Sequence, residues 1–302
     1  MNIRHFTDFF KPKGFVQVLL FHKIYPSKSD IILEHGDPLE GICKSEFEEI
    51  IRYFHERNYL FINEQDIILK KLNPRRRHLF ITFDDGYFNN TLILDILEKY
   101  NAKATFYIAT DFIENGKQYW WDIHYRERHK QCKSEAFIRE ERLQFYTMTG
   151  EQQYEFLEQT FGSDALYYST ELSRVMTKAE LQNFARHPLV SLGNHTHQHI
   201  NMAAFEREYL MHSLQKSQDF LENTTQKPVE SISYPFGEYN ETALSCVAEF
   251  GLKLGVSVDC GKNKCSEIYK NNQILKLRRS IPNGYFPIRN QCKKIENADE
   301  IF

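Results

Sequence analysis

Two short groups of polar residues have the types and the spacing that metal chemistry requires. Asp84 and Asp85 stand side by side before Gly86, and His195 and His199 stand four positions apart much further along the chain. Adjacent buried carboxylates need a cation, or one of them must keep its proton. Two imidazoles and one carboxylate form a donor set typical of a catalytic divalent metal.

Each group also has an ordinary structural interpretation. Asp-Asp-Gly is a common turn sequence, because aspartate and glycine are frequent turn formers. A turn rich in histidine is often only polar surface. If the segment forms one helical turn, His195 and His199 share a face. His197 then lies on another face, as a surface residue or a support for the other two.

The elements that precede the two groups predict that they converge. Residues 79–83 and 190–193 are typical of buried strands, and they end directly before the aspartates and before the histidine segment. Strands alternate with helices along the chain, which favours a parallel α/β sheet or barrel. The carboxyl ends of its strands meet on one face. We therefore expect Asp85 and the two histidines to share one ion, with Asp84 left to take a proton from water.

The rest of the pattern predicts one domain, residues 1–302, with an interruption. Residues 16–21 and 274–281 have the composition or alternation of further strands. Thr177 begins a capping box and so opens a helix. From about 116 to 175 the chain becomes aromatic, then charged, then helical, which predicts a helical insertion in the α/β body.

Composition and charge exclude several classes of protein. A formal charge of −3 gives no basis for a nucleic-acid partner, and the arginines at 75–77 are too few to change this. Six cysteines without Cys-x-x-Cys spacing argue against a zinc-cysteine site and a dense disulfide framework. Residues 1–6 lack the apolar core of a signal peptide, and no run is long enough to cross a bilayer. A soluble cytoplasmic protein is expected, with the oligomeric state left open.

Taken together, the two groups resemble the polysaccharide deacetylases of carbohydrate esterase family 4, the NodB-homology group. Residues 82–86 read Thr-Phe-Asp-Asp-Gly and 195–199 read His-Thr-His-Gln-His, similar to the T-F-D-D-G and H-[S/T]-x-x-H motifs of that family. Shorter similarities lie at 21–24, 120–122 and 234–237. The resemblance covers most of the chain and implies an α/β fold, a distorted (β/α)7 barrel with seven strands rather than eight.

The resemblance implies a role for each matching residue. Asp84 would be the general base, and Thr196 would support the histidine loop by hydrogen bonding. A divalent metal, most often zinc, would be bound by Asp85, His195 and His199. The substrate groove would include Trp120, Trp121, Tyr234, Pro235 and Phe236. The backbone amide of Phe236 would help to hold an oxyanion.

The adjacent tryptophans have two interpretations. Aromatic rings can stack on the apolar faces of sugars, and they can also anchor the insertion to the barrel. We expect one of Trp120 and Trp121 to do each. Asp122 is a candidate for a contact with a substrate hydroxyl or for a helix N-cap.

The sequence departs from the family pattern at two catalytic positions. It has no C-terminal Leu-His segment to supply the general acid, since the last histidine is His212, inside a predicted helix. Ser233 stands where the groove motif has an arginine that tunes the base. His22 or a protonated Asp84 is therefore a candidate acid, and Arg279 is a candidate for the missing charge. The alternative for His22 is a structural role, as a histidine packed at the end of a strand. The alternative for Arg279 is that it lies on the surface.

These residues predict a metal-dependent hydrolase that removes an N-acetyl group from a sugar. A metal in such a site polarises the carbonyl and lowers the pKa of water, and Asp84 takes the proton. A nucleotide-linked or lipid-linked precursor of a surface polysaccharide is the expected substrate. Two alternatives stay open: a sugar-binding or assembly protein on this scaffold, and a deformylase of a lipid-linked aminosugar. The metal content of the purified protein would distinguish the sugar-binding protein from the hydrolase. Substrate trials would distinguish the deformylase from the deacetylase.

Overall fold

The computed structural model describes residues 14–33 and 37–298. Residues 1–6, on which the signal-peptide prediction rests, lie outside this part. The strands are β1 (Phe15–Phe21), β2 (Leu60–Ile62), β3 (Arg77–Phe83), β4 (Ala104–Ile108), β5 (Val190–Asn194), β6 (Ser231–Ser233), β7 (Leu254–Val256) and β8 (Asn263–Lys264). The helices are α1 (Lys28–Leu33), α2 (Lys44–Glu56), α3 (Glu64–Ile68), α4 (Leu94–Tyr100), α5 (Thr110–Glu114), α6 (Trp120–Lys130), α7 (Glu135–Arg142), α8 (Gly150–Phe161), α9 (Lys178–Phe184), α10 (Arg207–Thr225), α11 (Glu241–Phe250) and α12 (Ile288–Asn297).

The strands form one curled sheet in the order β7-β6-β5-β4-β3-β1-β8, with β2 paired to the first half of β3. All pairs are parallel except that of β1 with β8. After β8 the chain returns between β7 and β1, where Leu277 bridges Val256 and Ser280 bridges Leu19. This segment takes the place of a seventh parallel strand and so closes the barrel. The other six are β1, β3, β4, β5, β6 and β7. The predicted distorted seven-stranded barrel is confirmed.

The central strand β3 shows why the aspartates lie where they do. Six of its seven residues are buried, because α helices cover the outside of the barrel and its own side chains fill the inside. Rings of β1, β3 and β4 stack in succession: Phe21 lies 5.2 Å from Phe83, and Phe83 lies 4.9 Å from Phe106. The apolar packing fixes the strand up to its last residue, and the polar chemistry begins at the next one.

The helix predicted to begin at Thr177 is confirmed, and the strand predicted over 274–281 is only partly right. Thr177 caps α9 as predicted, since its side chain accepts the amide hydrogen of Glu180 and the Glu180 carboxylate accepts that of Thr177. The strand predicted over 274–281 is wrong in its first part, where a 3-10 helix covers Gln273–Leu275. Only the part after it runs beside β7 and β1.

Residues 116–175, predicted to be an insertion, contain α6, α7 and α8 between β4 and β5. Trp120 of α6 stacks on Phe145, with ring centroids 4.5 Å apart and planes 1° apart. The division of the chain into one domain with this insertion remains a prediction. Within the described ranges, every helix is too short or too polar to cross a bilayer.

Candidate active site

The turn after β3 separates the two adjacent carboxylates. The Asp84 amide donates to the carbonyl of Phe21, at the end of β1, over 2.9 Å. Asp85 then takes a φ of +77° and Gly86 one of +102°. A left-handed backbone is costly for a residue other than glycine, and such conformations concentrate at functional sites. Both carboxylates are buried, at 3% and 2% exposure, so each requires specific partners.

The histidine segment after β5 is an irregular loop rather than a helical turn, so the helical explanation for its spacing is wrong. Thr196 and His199 have φ values of +59° and +52°. The side chain of Asn194 accepts the Thr196 amide hydrogen over 2.8 Å, and Thr196 Oγ1 accepts that of Ile200 over 3.1 Å. These bonds hold a folded-back loop that brings both imidazoles to one place.

Asp85, His195 and His199 form a candidate metal site. The Nε2 atoms of both histidines lie 3.5 Å from the same oxygen, Asp85 Oδ1. The ligand atoms all lie within 4.8 Å of one another, and Asp85 Oδ1 is buried with no hydrogen-bond partner among the described residues. Burial and the neighbouring His195 lower the pKa of His199 to about 3, so its ring is neutral. Burial raises the pKa of Asp85, but the surrounding imidazoles hold it below its ordinary value. The donor set fits a divalent metal.

The two histidines are oriented in different ways. The Nδ1 of His195 contacts the carbonyl oxygen of Ser233 over 2.7 Å. As the donor in that contact, Nδ1 leaves Nε2 free to bind a metal. The Nδ1 of His199 is buried without a hydrogen-bond partner in the described ranges. Its ring is instead packed between Trp121 and Phe236, each with its centroid 4.6 Å away.

Asp84 forms a bidentate ion pair with the buried Arg279. Nη1 and Nη2 of Arg279 each donate to one carboxylate oxygen over 2.8 Å, and Ser233 Oγ donates to Asp84 Oδ2 over 2.8 Å. Nε of Arg279 donates to the carbonyl of Ser257 over 2.7 Å. Arg279 is only 1% exposed, which excludes the surface alternative. Burial raises the pKa of Asp84, but the Arg279 guanidinium, together with His195 and His22, more than offsets this and holds it well below its ordinary value.

His22 lies at the mouth of the same pocket and is paired with a residue that the sequence did not point to. Its Nδ1 contacts Glu40 Oε1 over 2.7 Å, and its side chain is 20% exposed. Burial lowers the pKa of His22, but the Glu40 carboxylate, together with Asp85 and Asp84, more than offsets this and raises it to about 10. The ring therefore carries a proton at neutral pH.

The predicted substrate residues differ in how far they can reach a ligand. Trp120 is 0% exposed and Trp121 5%, so both rings pack mainly against protein, and a contact of either ring with a sugar remains a prediction. Tyr234 and Pro235 are buried as well, and Tyr234 Oη donates to the Leu275 carbonyl. Phe236 is half-buried. All except Pro235 line the pocket that holds the aspartates and histidines.

Several pocket residues had no sequence signal of their own. Arg142 and Tyr146, from the stretch after α6, line the pocket together with Leu39, Val258 and Ile281. Asp122 is neither an N-cap nor a substrate contact, because it forms a buried ion pair with Lys23 over 2.7 Å. The N-cap position of the helix that contains Asp122 is occupied by Tyr119, whose side chain makes no capping hydrogen bond. Only contacts between distant segments identify these residues.

A family model described as polysaccharide deacetylase matches residues 71–255, more than half of the chain. The chain belongs to the polysaccharide deacetylase family. Among the curated relatives of this deacetylase-family chain, YxkH of Bacillus subtilis, named for the same family, is 21% identical over 244 residues, or 78% of this chain and 66% of that protein. A poly-beta-1,6-N-acetyl-D-glucosamine N-deacetylase of Staphylococcus aureus is 22% identical over 232 residues, or 72% of this chain and 61% of that protein. The chain spans two thirds or less of the length of these relatives.

Two solved structures confirm the fold of the deacetylase-family chain. The deacetylase PplD of Streptococcus pyogenes, solved with acetate, has a TM-score of 0.63 at 18% identity, covering 94% of this chain and 99% of that chain. IcaB of Ammonifex degensii has a TM-score of 0.63 at 12% identity, covering 94% and 97%. At these identities the two matches show only that the barrel is shared. The chemistry of this chain must be inferred from its own site residues.

Proposed function

We propose that this chain is a metal-dependent N-deacetylase that acts on an acetylated sugar. The observation that carries the proposal is the convergence of two units in one pocket: the cluster of Asp85, His195 and His199, and the ionised Asp84 paired with Arg279. A sugar-binding protein without catalysis has no need of a base beside a metal site. Membership in the deacetylase family supports the same conclusion.

The proposed reaction exchanges one bond at the acyl carbon. A bound divalent metal, zinc in our proposal, would polarise the acyl oxygen and lower the pKa of water. Asp84 accepts a proton from the attacking water, which its ionised state permits. The new C–O bond forms, the C–N bond breaks, and the leaving amine takes a proton from His22. Acetate and a free amine are the products.

The substrate in this proposal is an N-acetylated amino sugar of a surface polysaccharide. The relative from Staphylococcus aureus is named for removing N-acetyl groups from a glucosamine polymer, which supports this class. We further propose a nucleotide-linked or lipid-linked precursor rather than the finished polymer. The cytoplasmic location of this protein remains a prediction.

Removal of the metal tests the proposed function. Treatment with a chelator is expected to abolish the release of acetate from an N-acetylated amino sugar, and Zn²⁺ is expected to restore it, because three ligands without a metal cannot activate water. Quantifying acetate and formate released from matched N-acetyl and N-formyl substrates separates deacetylation from deformylation. His199→Ala is expected to lose the metal, and His212→Ala, at an exposed position, to keep it. A parent chain that purifies and titrates without metal binding contradicts the proposal.

The pH dependence tests His22 as the acid. Since only the protonated ring can donate, the rate is expected to fall as pH rises through the raised pKa of about 10. Glu40→Gln removes the carboxylate that raises this pKa, so the basic limb is expected to move to lower pH. His22→Ala is expected to reduce kcat by about 10²-fold or more and to remove that limb. A pH–rate profile of His22→Ala with the parent's shape would exclude the role and leave Asp84 as the acid.

A further inference from the structure

His199 is the proposed ligand with the least direct support. A metal-binding histidine almost always donates its other ring N–H to a carboxylate, a carbonyl or water, and that bond fixes the ring. His195 has such a partner in the Ser233 carbonyl. His199 Nδ1 has none within residues 14–33 and 37–298, although it is buried. Packing against Trp121 and Phe236 must therefore set the orientation of this ring.

Trp121 is held by a line of hydrogen bonds that leads away from the pocket. Its Nε1 donates to Tyr87 Oη over 2.7 Å. Tyr87 Oη donates to Asp122 Oδ2 over 2.9 Å. Asp122 Oδ1 accepts from Lys23 Nζ over 2.7 Å and from the Asp37 amide over 2.9 Å. We call these four buried side chains the relay: Trp121, Tyr87, Asp122 and Lys23.

The direction of each bond in the relay is determined by chemistry. The indole N–H can only donate, so the Tyr87 hydroxyl must accept it and direct its own hydrogen to Asp122. The ionised carboxylate can only accept, and the Lys23 ammonium, whose side chain is 0% exposed, supplies the matching charge. With Asp122 paired to Lys23, all donors run in one direction along the relay, which holds the indole ring against His199.

We propose that the relay positions His199 for the metal, in place of the hydrogen bond that Nδ1 lacks. Trp121 and Asp122 then act as supports of the metal site. This inference rests on the proposed metal site, and it assigns positioning roles to Tyr87 and Asp122, which touch neither metal nor substrate. It also explains why Lys23, directly after His22, is buried at the end of β1.

Tyr87→Phe tests the relay at its middle link. Tyr119→Phe is a matched control, because Tyr119 also stacks on Trp121, with centroids 4.7 Å apart, and its buried hydroxyl has no partner in the described part of the chain. Metal-free protein is titrated with Zn²⁺ in competition with a chromophoric chelator. Tyr87→Phe is expected to raise the Zn²⁺ Kd about tenfold and to alter the visible spectrum of the Co²⁺ form. Tyr119→Phe is expected to keep the parent's Kd and spectrum.

The outcomes separate this inference from the proposed function. A parent chain that binds no Zn²⁺ overturns both. A parent that binds Zn²⁺, with a Tyr87→Phe variant of equal Kd, overturns only the relay, whatever happens to the Tm of the metal-free protein. Equal weakening by Tyr119→Phe also overturns it, since the loss of a hydroxyl outside the relay would then suffice. If Tyr87→Phe does not fold, Trp121→Phe keeps a ring but removes the indole N–H, and an unchanged Kd in that variant has the same consequence.

Discussion

Asp84→Asn is expected to reduce turnover by about 10²- to 10⁴-fold, the usual contribution of a general base, while the protein still binds its metal. The amide keeps the shape of the side chain but cannot accept a proton from water. Asp85→Asn is expected to lose both turnover and metal, because Asp85 Oδ1 lies 3.5 Å from the Nε2 atoms of His195 and His199. Acetate release and the metal content of each purified variant are the measurements.

Stability is the complication that the control for Asp84→Asn must address. Breaking one side of a buried ion pair costs about 3–5 kcal/mol, and Arg279 loses its countercharge in this variant. Glu141→Gln is a matched control, since the Glu141 carboxylate is paired with the Arg128 guanidinium over 2.5 Å, with side chains 15% and 11% exposed, outside the residues that line the pocket. A folded Asp84→Asn variant that retains activity within about tenfold of the parent's contradicts a role as base, and one that loses its metal contradicts the division between the two aspartates.

The position of the site could be predicted from the sequence because it depends on local pattern and on a general property of parallel sheets. Apolar runs end at Asp84 and at Asn194, and strand ends of the same sense meet at one face of a barrel. The prediction did not require the conformation of either loop. For that reason the structure brings the predicted residues together, although the helical turn assumed for His195 and His199 was wrong.

What could not be predicted depends on contacts between distant segments. Glu40 is the partner of His22, but an acidic residue in a long loop carries no sign of what it will meet. Trp121 is a residue type that can stack on a sugar, and only the folded chain shows its ring packed against His199. The left-handed φ of His199 is a cost that surrounding contacts must offset, and such contacts are not visible in a local sequence window.

Ser233 shows how the replaced arginine is compensated. Its carbonyl oxygen contacts His195 Nδ1, and its hydroxyl lies between Asp84 and Arg279, 2.8 Å from Asp84 Oδ2 and 3.0 Å from Arg279 Nη2. The charge that the family motif supplies from this strand therefore arrives from the segment that closes the barrel. The side chains at 233 and 279 both contact Asp84 Oδ2, so an arginine could act on this carboxylate from either position.

Arg279→Met is expected to raise the pKa of Asp84, because burial then acts without the guanidinium that opposes it. The acidic limb of the activity profile should move to higher pH, with a loss of rate at neutral pH. The pH dependence of stability should become weaker on the acidic side. In the parent, the lowered pKa gives stability that is present above the ordinary value of 3.8 and lost as pH falls through the folded value. In the variant, this contribution should shrink, because the folded pKa of Asp84 lies closer to the ordinary value, and the loss of the ion pair should cost about 3–5 kcal/mol in total.

The double variant Ser233→Arg with Arg279→Met decides whether charge or position matters at this carboxylate. If the guanidinium acts by keeping Asp84 ionised, an arginine at 233 can approach Asp84 Oδ2 through the space that Arg279 leaves. The acidic limb should then return toward its place in the parent. Arg278→Met, at the neighbouring half-buried position, should leave the profile unchanged. An Arg279→Met profile identical to the parent's would show that Asp84 does not need this charge. Recovery of rate in the double variant would show that the barrel-closing segment supplies it in place of the groove strand.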